Sequence, residues 1–185
     1  MFRVSCIQLR SNNNVLHNLN KTERLIVKAV KQKTDFILTP EVSSLFSLNK
    51  KQLLKTCKPM NEDKYLFGVK QLAEKYKKWI LIGSLITKIN KKKLVNRSVL
   101  IDKTGKIRAY YDKIHMYDVV LSKKEKYFES KTFKPGKKIK SFKLPWGKLG
   151  LSICYDLRFP NLYRNLAKSG SIFLSVPSAF TETTG

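Results

Sequence analysis

Acidic residues are scarce in this chain: 13 Asp and Glu stand against 38 Lys and Arg among 185 residues, leaving a formal net charge of +25 at pH 7. Cysteine (3), histidine (2) and proline (6) are also few. Cys6, Cys57 and Cys154 are odd in number, widely spaced and without a CxxC pair, which argues against a disulfide framework or a zinc knuckle. The longest run of apolar or small residues, Trp79 to Ile86, falls well short of the roughly 20 residues that cross a bilayer, so no membrane span is expected. The opening Met-Phe-Arg-Val-Ser-Cys-Ile-Gln-Leu-Arg alternates like a strand and has no apolar segment followed by a small-residue cleavage site. Export is therefore not expected, and the cytoplasm is the default location. What the chain does have, 42% hydrophobic residues, excludes disorder, and at roughly 150 residues per domain the length points to one domain with one sizeable core.

The positive charge invites a nucleic-acid reading. Only Arg3, Arg10, Arg24, Arg97, Arg108, Arg158 and Arg164 are arginine, the better reader of bases, and the rest are lysine. The lysines form short clusters such as Lys91-Lys92-Lys93 along the whole chain instead of one basic arm. A solvated, lysine-rich surface is the plainer reading, and no nucleic-acid partner is expected.

Apolar periods switch between strand-like and helix-like, the pattern of an α/β protein. Phe2 to Leu9 reads as a first strand. Residues 15–32 place Leu16, Leu19, Ile26 and Val30 near one helical face, with His17 on the solvated side. The run from Asp35 to Thr39 reads as a strand ended by Pro40, which sets Glu41 at its C-terminal end. A helix is predicted over 61–77 with Asn61 as N-cap. Trp79–Thr87, Leu94–Ile101 and Ile107–Tyr111 follow as a three-strand meander. Residues 114–138 show no sustained period and read as a long loop with at most one helical turn, of the length that is usually functional. Ile139–Leu144 and Lys148–Ile153 form a hairpin. A helix opened by Pro160 runs to about Lys168, and Ser171–Val176 is a last strand.

Cys154 falls where an apolar strand turns toward a helix. A thiol there meets upcoming backbone N–H groups and the positive end of a helix dipole, which favour the thiolate. With a free-thiol pKa near 8.5 it would be only about 3% ionised at pH 7, so a nearby base or cation is still required. Cys6 and Cys57 have no such setting and read as packing residues. Glu41 and Lys113 also lie at strand ends, and in an α/β sheet those ends converge on one rim where sites are built. There Glu41 would take the thiol proton, Cys154 would attack, and Lys113 with the Tyr155 backbone N–H would hold the developing oxyanion. His115, oriented by Asp118 or Asp156, could instead form a dyad with Cys154, but a structural hydrogen bond suits it better. Asp156 and Arg158 read as a local ion pair or cap.

Four blocks of the sequence resemble the carbon-nitrogen hydrolase, or nitrilase, superfamily: Leu38-Thr-Pro-Glu41, Tyr111-Asp-Lys113-Ile-His-Met-Tyr-Asp118, Tyr127-Phe-Glu129-Ser with Pro135-Gly136, and Leu151-Ser-Ile-Cys154-Tyr-Asp-Leu-Arg-Phe-Pro160. Gly83-Ser-Leu, Asn96-Arg-Ser and Pro177-Ser-Ala-Phe180 match as well, the last in the form of the branch that resembles deaminated-glutathione amidase and omega-amidase. The resemblance implies that Glu41, Lys113 and Cys154 are a catalytic triad and that Glu129 is a second active-site glutamate. It makes Tyr155, Ser178 and Phe180 candidate substrate or oxyanion contacts, with Glu182 and Thr183 in a loop beside the pocket. It further implies an αββα sandwich, here one domain over residues 1–185 lacking its C-terminal part, and a homodimer when full length. The expected chemistry is hydrolysis of a small linear amide by water through a thioester, without metal or organic cofactor. The alternatives kept open are nitrile hydrolysis by the same triad, a basic nucleic-acid-binding module, and an inactive truncated scaffold.

Overall fold

The computed structural model describes residues 2–123 and 125–180. Strands β1 (Val4–Cys6), β2 (Phe36–Leu38) and β3 (Trp79–Lys88) lie parallel and neighbour one another. Helix α1 (Val15–Lys31) returns the chain from β1 to β2, and α2 (Lys50–Thr56) and α3 (Lys64–Tyr76) return it from β2 to β3. Strands β4 (Leu94–Ile101) and β5 (Ile107–Asp112) then add antiparallel, so the first sheet runs in the order β1-β2-β3-β4-β5. After a small hairpin, β6 (Asp118–Val120) with β7 (Lys126–Phe128), a second sheet forms from β8 (Lys140–Leu144), β9 (Gly147–Leu151) and β10 (Phe173–Ser175). Helix α4 (Pro160–Lys168) connects β9 to β10.

The alternation of side chains along each strand explains the layers. Ile80 and Ile82 of β3 pack with Ile26 and Ala29 of α1 and Leu66, Val69 and Ala73 of α3. Leu81, between them in sequence, points the other way and packs with Leu149 and Leu151 of the second sheet. On the far side of that sheet, Leu162 and Leu166 of α4 are buried. Gly150 of β9 lets that helix close in, since a Cβ there would sit 3.2 Å from the Leu166 methyls. Helix, sheet, sheet and helix thus stack in the αββα order expected from the sequence.

Several expectations need correction. The strand expected over 2–9 pairs only over Val4–Cys6. Phe2 instead stacks on Trp146 (4.8 Å between centroids) and meets Phe173 edge-on (4.9 Å), tying the first residues to the second sheet. Cys6 is exposed, not packed, whereas Cys57 is buried, and burial pushes its thiol up to about 12. On α1 the buried stripe runs through Asn18, Thr22, Ile26 and Ala29, so Leu16 lies off it and is 55% exposed. Asn61 sits in a short 3-10 turn, and the cap of α3 is Asp63, whose carboxylate accepts from Leu66 N (2.8 Å). Helix α2 was not anticipated, and the segment read as a long loop contains the β6–β7 hairpin and a 3-10 turn at Glu129–Lys131. Glu182 and Thr183 lie outside the described residues.

One close approach holds the sheets in register at the site end. Gly83, at an irregularity between Ile82 and Leu85 in β3, donates its N–H to Thr39 Oγ1 (3.0 Å), and a Cβ on it would lie 1.9 Å from Thr39 O and 2.5 Å from Pro177 Cβ. Gly83→Ala is expected to cost about 1–3 kcal/mol or more by overpacking, read as a lowered urea midpoint. An unchanged midpoint would contradict this packing.

Candidate active site

Four of the residues singled out in the sequence arrive from four distant segments. Glu41 follows β2 by three residues, Lys113 follows β5 directly, Glu129 opens the 3-10 turn after β7, and Cys154 follows β9 by three. Glu41 and Lys113 are both buried (6% and 2% exposed). Lys113 Nζ lies 3.0 Å from Glu41 Oε1, 2.9 Å from Glu129 Oε2 and 3.2 Å from Glu129 Oε1. The ammonium is thus gripped from two sides by carboxylates.

Neutral donors complete the carboxylate shells. Asn96 Nδ2 donates to Glu41 Oε1 (2.9 Å) and at 3.4 Å to Glu129 Oε1, Tyr117 N donates to Glu129 Oε2 (2.7 Å), and Ala179 N donates to Glu41 Oε2 (3.0 Å). Ala179 also bridges to the thiol, because its carbonyl oxygen lies 4.0 Å from Cys154 Sγ. Asn96 and the Tyr117 and Ala179 backbone N–H groups were given no role from the sequence. The signal for Asn96 is strand pairing, since Lys113 N donates to Asn96 O (2.9 Å) and so sets the two side by side.

The electrostatics follow from burial and charge. Desolvation works to lower the Lys113 ammonium, but Glu41 and Glu129 outweigh it and hold it above the ordinary lysine value. Burial and the Glu41 carboxylate push the Cys154 thiol up to about 11, against the pull of Lys113. This corrects the expectation of a dipole-favoured thiolate. Cys154 opens a five-residue 3-10 turn, Cys154–Arg158, not an α-helix, and the charge nearest in effect is negative.

Two non-glycine residues at the site are left-handed, Cys154 (φ +46°) and Val42 (φ +48°), the latter next to Glu41. Such conformations cost about 1–3 kcal/mol each and need fixed surroundings. Val42 N is held by Ser84 Oγ (2.8 Å), and Cys154 N by Pro177 O (2.9 Å). Asp156, fully buried, braces the turn. Its carboxylate accepts from Tyr111 Oη (2.7 Å), Ile153 N (2.9 Å) and His115 N (3.0 Å), and contacts His115 Nδ1 (2.7 Å). His115 stacks on Phe159 at 3.6 Å. His115 is therefore engaged with Asp156 and Phe159, and Asp156 pairs with these groups instead of the Arg158 expected from the sequence.

A groove of about 920 Å³ opens beside Glu41. Ser178 and Phe180 line it with Ala179 and Tyr127. Ser178 Oγ donates to Val176 O (3.2 Å), and Phe180 is largely exposed. The Tyr155 ring packs edge-on against Tyr117 (5.1 Å) and Phe159 (5.5 Å), which fixes the peptide after Cys154. Among the described residues no three His, Cys, Asp or Glu side chains cluster as metal ligands would.

Comparison with known proteins agrees with this architecture. Residues 3–184 match the carbon-nitrogen hydrolase family, and the chain belongs to that family. It is 36% identical to the deaminated glutathione amidase of Yersinia enterocolitica, over 98% of this chain and 64% of that protein. It is 30% identical to an omega-amidase of Saccharomyces cerevisiae, over 99% of this chain and 65% of that protein. The crystal structure of the Caenorhabditis elegans NitFhit protein superposes with a TM-score of 0.89 at 32% identity, covering 99% of this chain and 46% of that one. The chain thus spans just under two thirds of the length of the two amidases.

Two measurements test the site. Alkylation at Cys154, followed by peptide mass against pH, is expected to rise with a midpoint near 11, to move higher in Lys113→Met and lower in Glu41→Gln. A midpoint at or below about 8.5, the ordinary thiol value, would contradict the electrostatics. Asp156→Ala strips the acceptor from Tyr111 Oη, Ile153 N and the half-buried His115 and is expected to cost about 3 kcal/mol or more, measured by chemical unfolding.

Proposed function

We propose that this chain is an amidase that hydrolyses a small linear amide through a thioester on Cys154, with Glu41 as base and Lys113 as oxyanion stabiliser. The observation that carries the reading is the buried Lys113 ammonium held between Glu41 (3.0 Å) and Glu129 (2.9 Å) beside the thiol. Glu41 accepts the Sγ proton as Sγ attacks the carbonyl carbon, and the oxygen that gains charge is held by Lys113 Nζ and the Tyr155 N–H. The proton passes from Glu41 to the departing nitrogen, ammonia leaves, and a thioester remains. Water then adds to the thioester carbonyl with Glu41 taking its proton, and collapse of the adduct expels the thiolate, which regains that proton as the acid is released.

The raised thiol suits this sequence. Two carboxylates and one ammonium already leave the cluster negative, so a resting thiolate would add a second uncompensated charge; ionisation is instead concerted with attack. Glu129 positions Lys113 through a paired contact. The names of the relatives point to the substrate class: deaminated glutathione or the omega-amide of a dicarboxylic acid. Water is the second substrate, with no cofactor, and the homodimer and cytoplasmic location expected from the sequence belong to the same reading.

Incubation with glutaramate, the monoamide of glutaric acid, is expected to release ammonia. Cys154→Ala is expected to reduce release by roughly 10⁴-fold or more, because nucleophile and base act as a unit. Retained activity in that variant would overturn the proposal.

A further inference from the structure

Arg10 lies in the loop after β1, on the rim where β2 delivers Glu41. It lines the groove with Glu41, Tyr127, Ser178 and Phe180, and it is the one cationic side chain lining that groove among the described residues. Arg97 is paired bidentately with Asp112 and Arg108 faces Asp102, but Arg10 has no carboxylate partner among the described residues. Among the described residues the one carboxylate on the groove wall, Glu41, is already engaged by Lys113, Asn96 and the Ala179 N–H. Among the described residues lining the groove, the one charge without an opposite partner is therefore the Arg10 guanidinium, whose planar fork matches a carboxylate. Phe46 and Leu48, both exposed apolar side chains, line the same groove and suit a short methylene chain. The net charge of +25 adds a field that draws anions toward the molecule.

We propose that Arg10 is a specificity-determining residue of the groove, binding the carboxylate of a substrate whose other end presents the amide to Cys154. This rests on the amidase reading for what happens at the amide end, but the binding preference itself does not need turnover. An ω-amide that carries a remote carboxylate is the favoured ligand class, and a neutral amide of the same shape is the disfavoured one.

The test uses the 185-residue chain carrying Cys154→Ala, so that binding is read by calorimetry without hydrolysis. Glutaramate is compared with glutaramide, in which the carboxylate is replaced by an uncharged amide of nearly the same shape. Glutaramate is expected to bind at least 10-fold tighter, with the advantage shrinking as salt is raised. Adding Arg10→Gln is expected to bring the two ligands to within about 2-fold, while Arg10→Lys keeps part of the preference. Equal affinity of the two ligands in the Arg10 protein, a preference that survives Arg10→Gln, or no binding of either ligand would overturn the inference. A preference that follows Arg10 while the unsubstituted chain releases no ammonia would sustain the role of Arg10 and remove the amidase reading, so the two failures are distinguishable.

Discussion

A lysine ammonium with 2% of its surface exposed cannot stand alone. Taking an ion of that size out of water costs several kcal/mol even after relaxation, and only close, well-directed opposite charge offsets it. Lys113 finds that charge at Glu41, in the connection that leaves β2, and at Glu129, in the 3-10 turn after β7. The pairing therefore fixes where three segments meet. The two carboxylates also hold the lysine charged, while burial, with Glu41 adding to it, holds the thiol neutral.

The scaffold supports this cluster by bracing the backbone on both sides of it. Val42 and Cys154 sit in left-handed conformations that a β-branched residue and a cysteine rarely adopt. Each is tied by a backbone N–H bond, to Ser84 Oγ and to Pro177 O. Asp156 then links the Cys154 turn to Tyr111 of β5 and to His115, two residues beyond Lys113. Glu41, Lys113 and Cys154 are consequently positioned by the strands of both sheets together, and the αββα stacking is what brings those strand ends to one place.

How much of this can be read from the chain depends on how local the cause is. The meander β3-β4-β5 is legible because long apolar runs alternate with Lys-rich and Asp-Lys-Thr-Gly turns. The rim position of Glu41, Lys113 and Cys154 is legible because each follows a strand. The β6–β7 hairpin is not, because its three-residue strands are exposed at both ends and carry no apolar period. Helix α2 is seven residues long and buries only Leu53, too little for a stripe to show. Asp63 replaces Asn61 as the cap because Met60–Glu62 winds as a 3-10 turn before the helix begins. The state of the Cys154 thiol is the least local quantity of all. The turn at Cys154 suggests a thiolate, yet the pKa is governed by burial and by a carboxylate over a hundred positions away in the sequence.

In the proposed reaction a half-buried, neutral thiol must still act as a nucleophile. A thiol activated in advance by a cation would be ionised at rest, open to oxidation and alkylation, and less nucleophilic per thiolate as its pKa falls. A thiol held near 11 is protected until a carbonyl is in place, and the thiolate it then yields is intrinsically the stronger nucleophile. The cost is that a base must move the proton within the same encounter. In the proposed reaction that base is Glu41, which Lys113, Asn96 and Ala179 hold through hydrogen bonds that leave it little freedom to turn away. Binding the substrate's remote carboxylate at Arg10 would complete the same logic, since a held amide supplies the electrophile before the thiol parts with its proton.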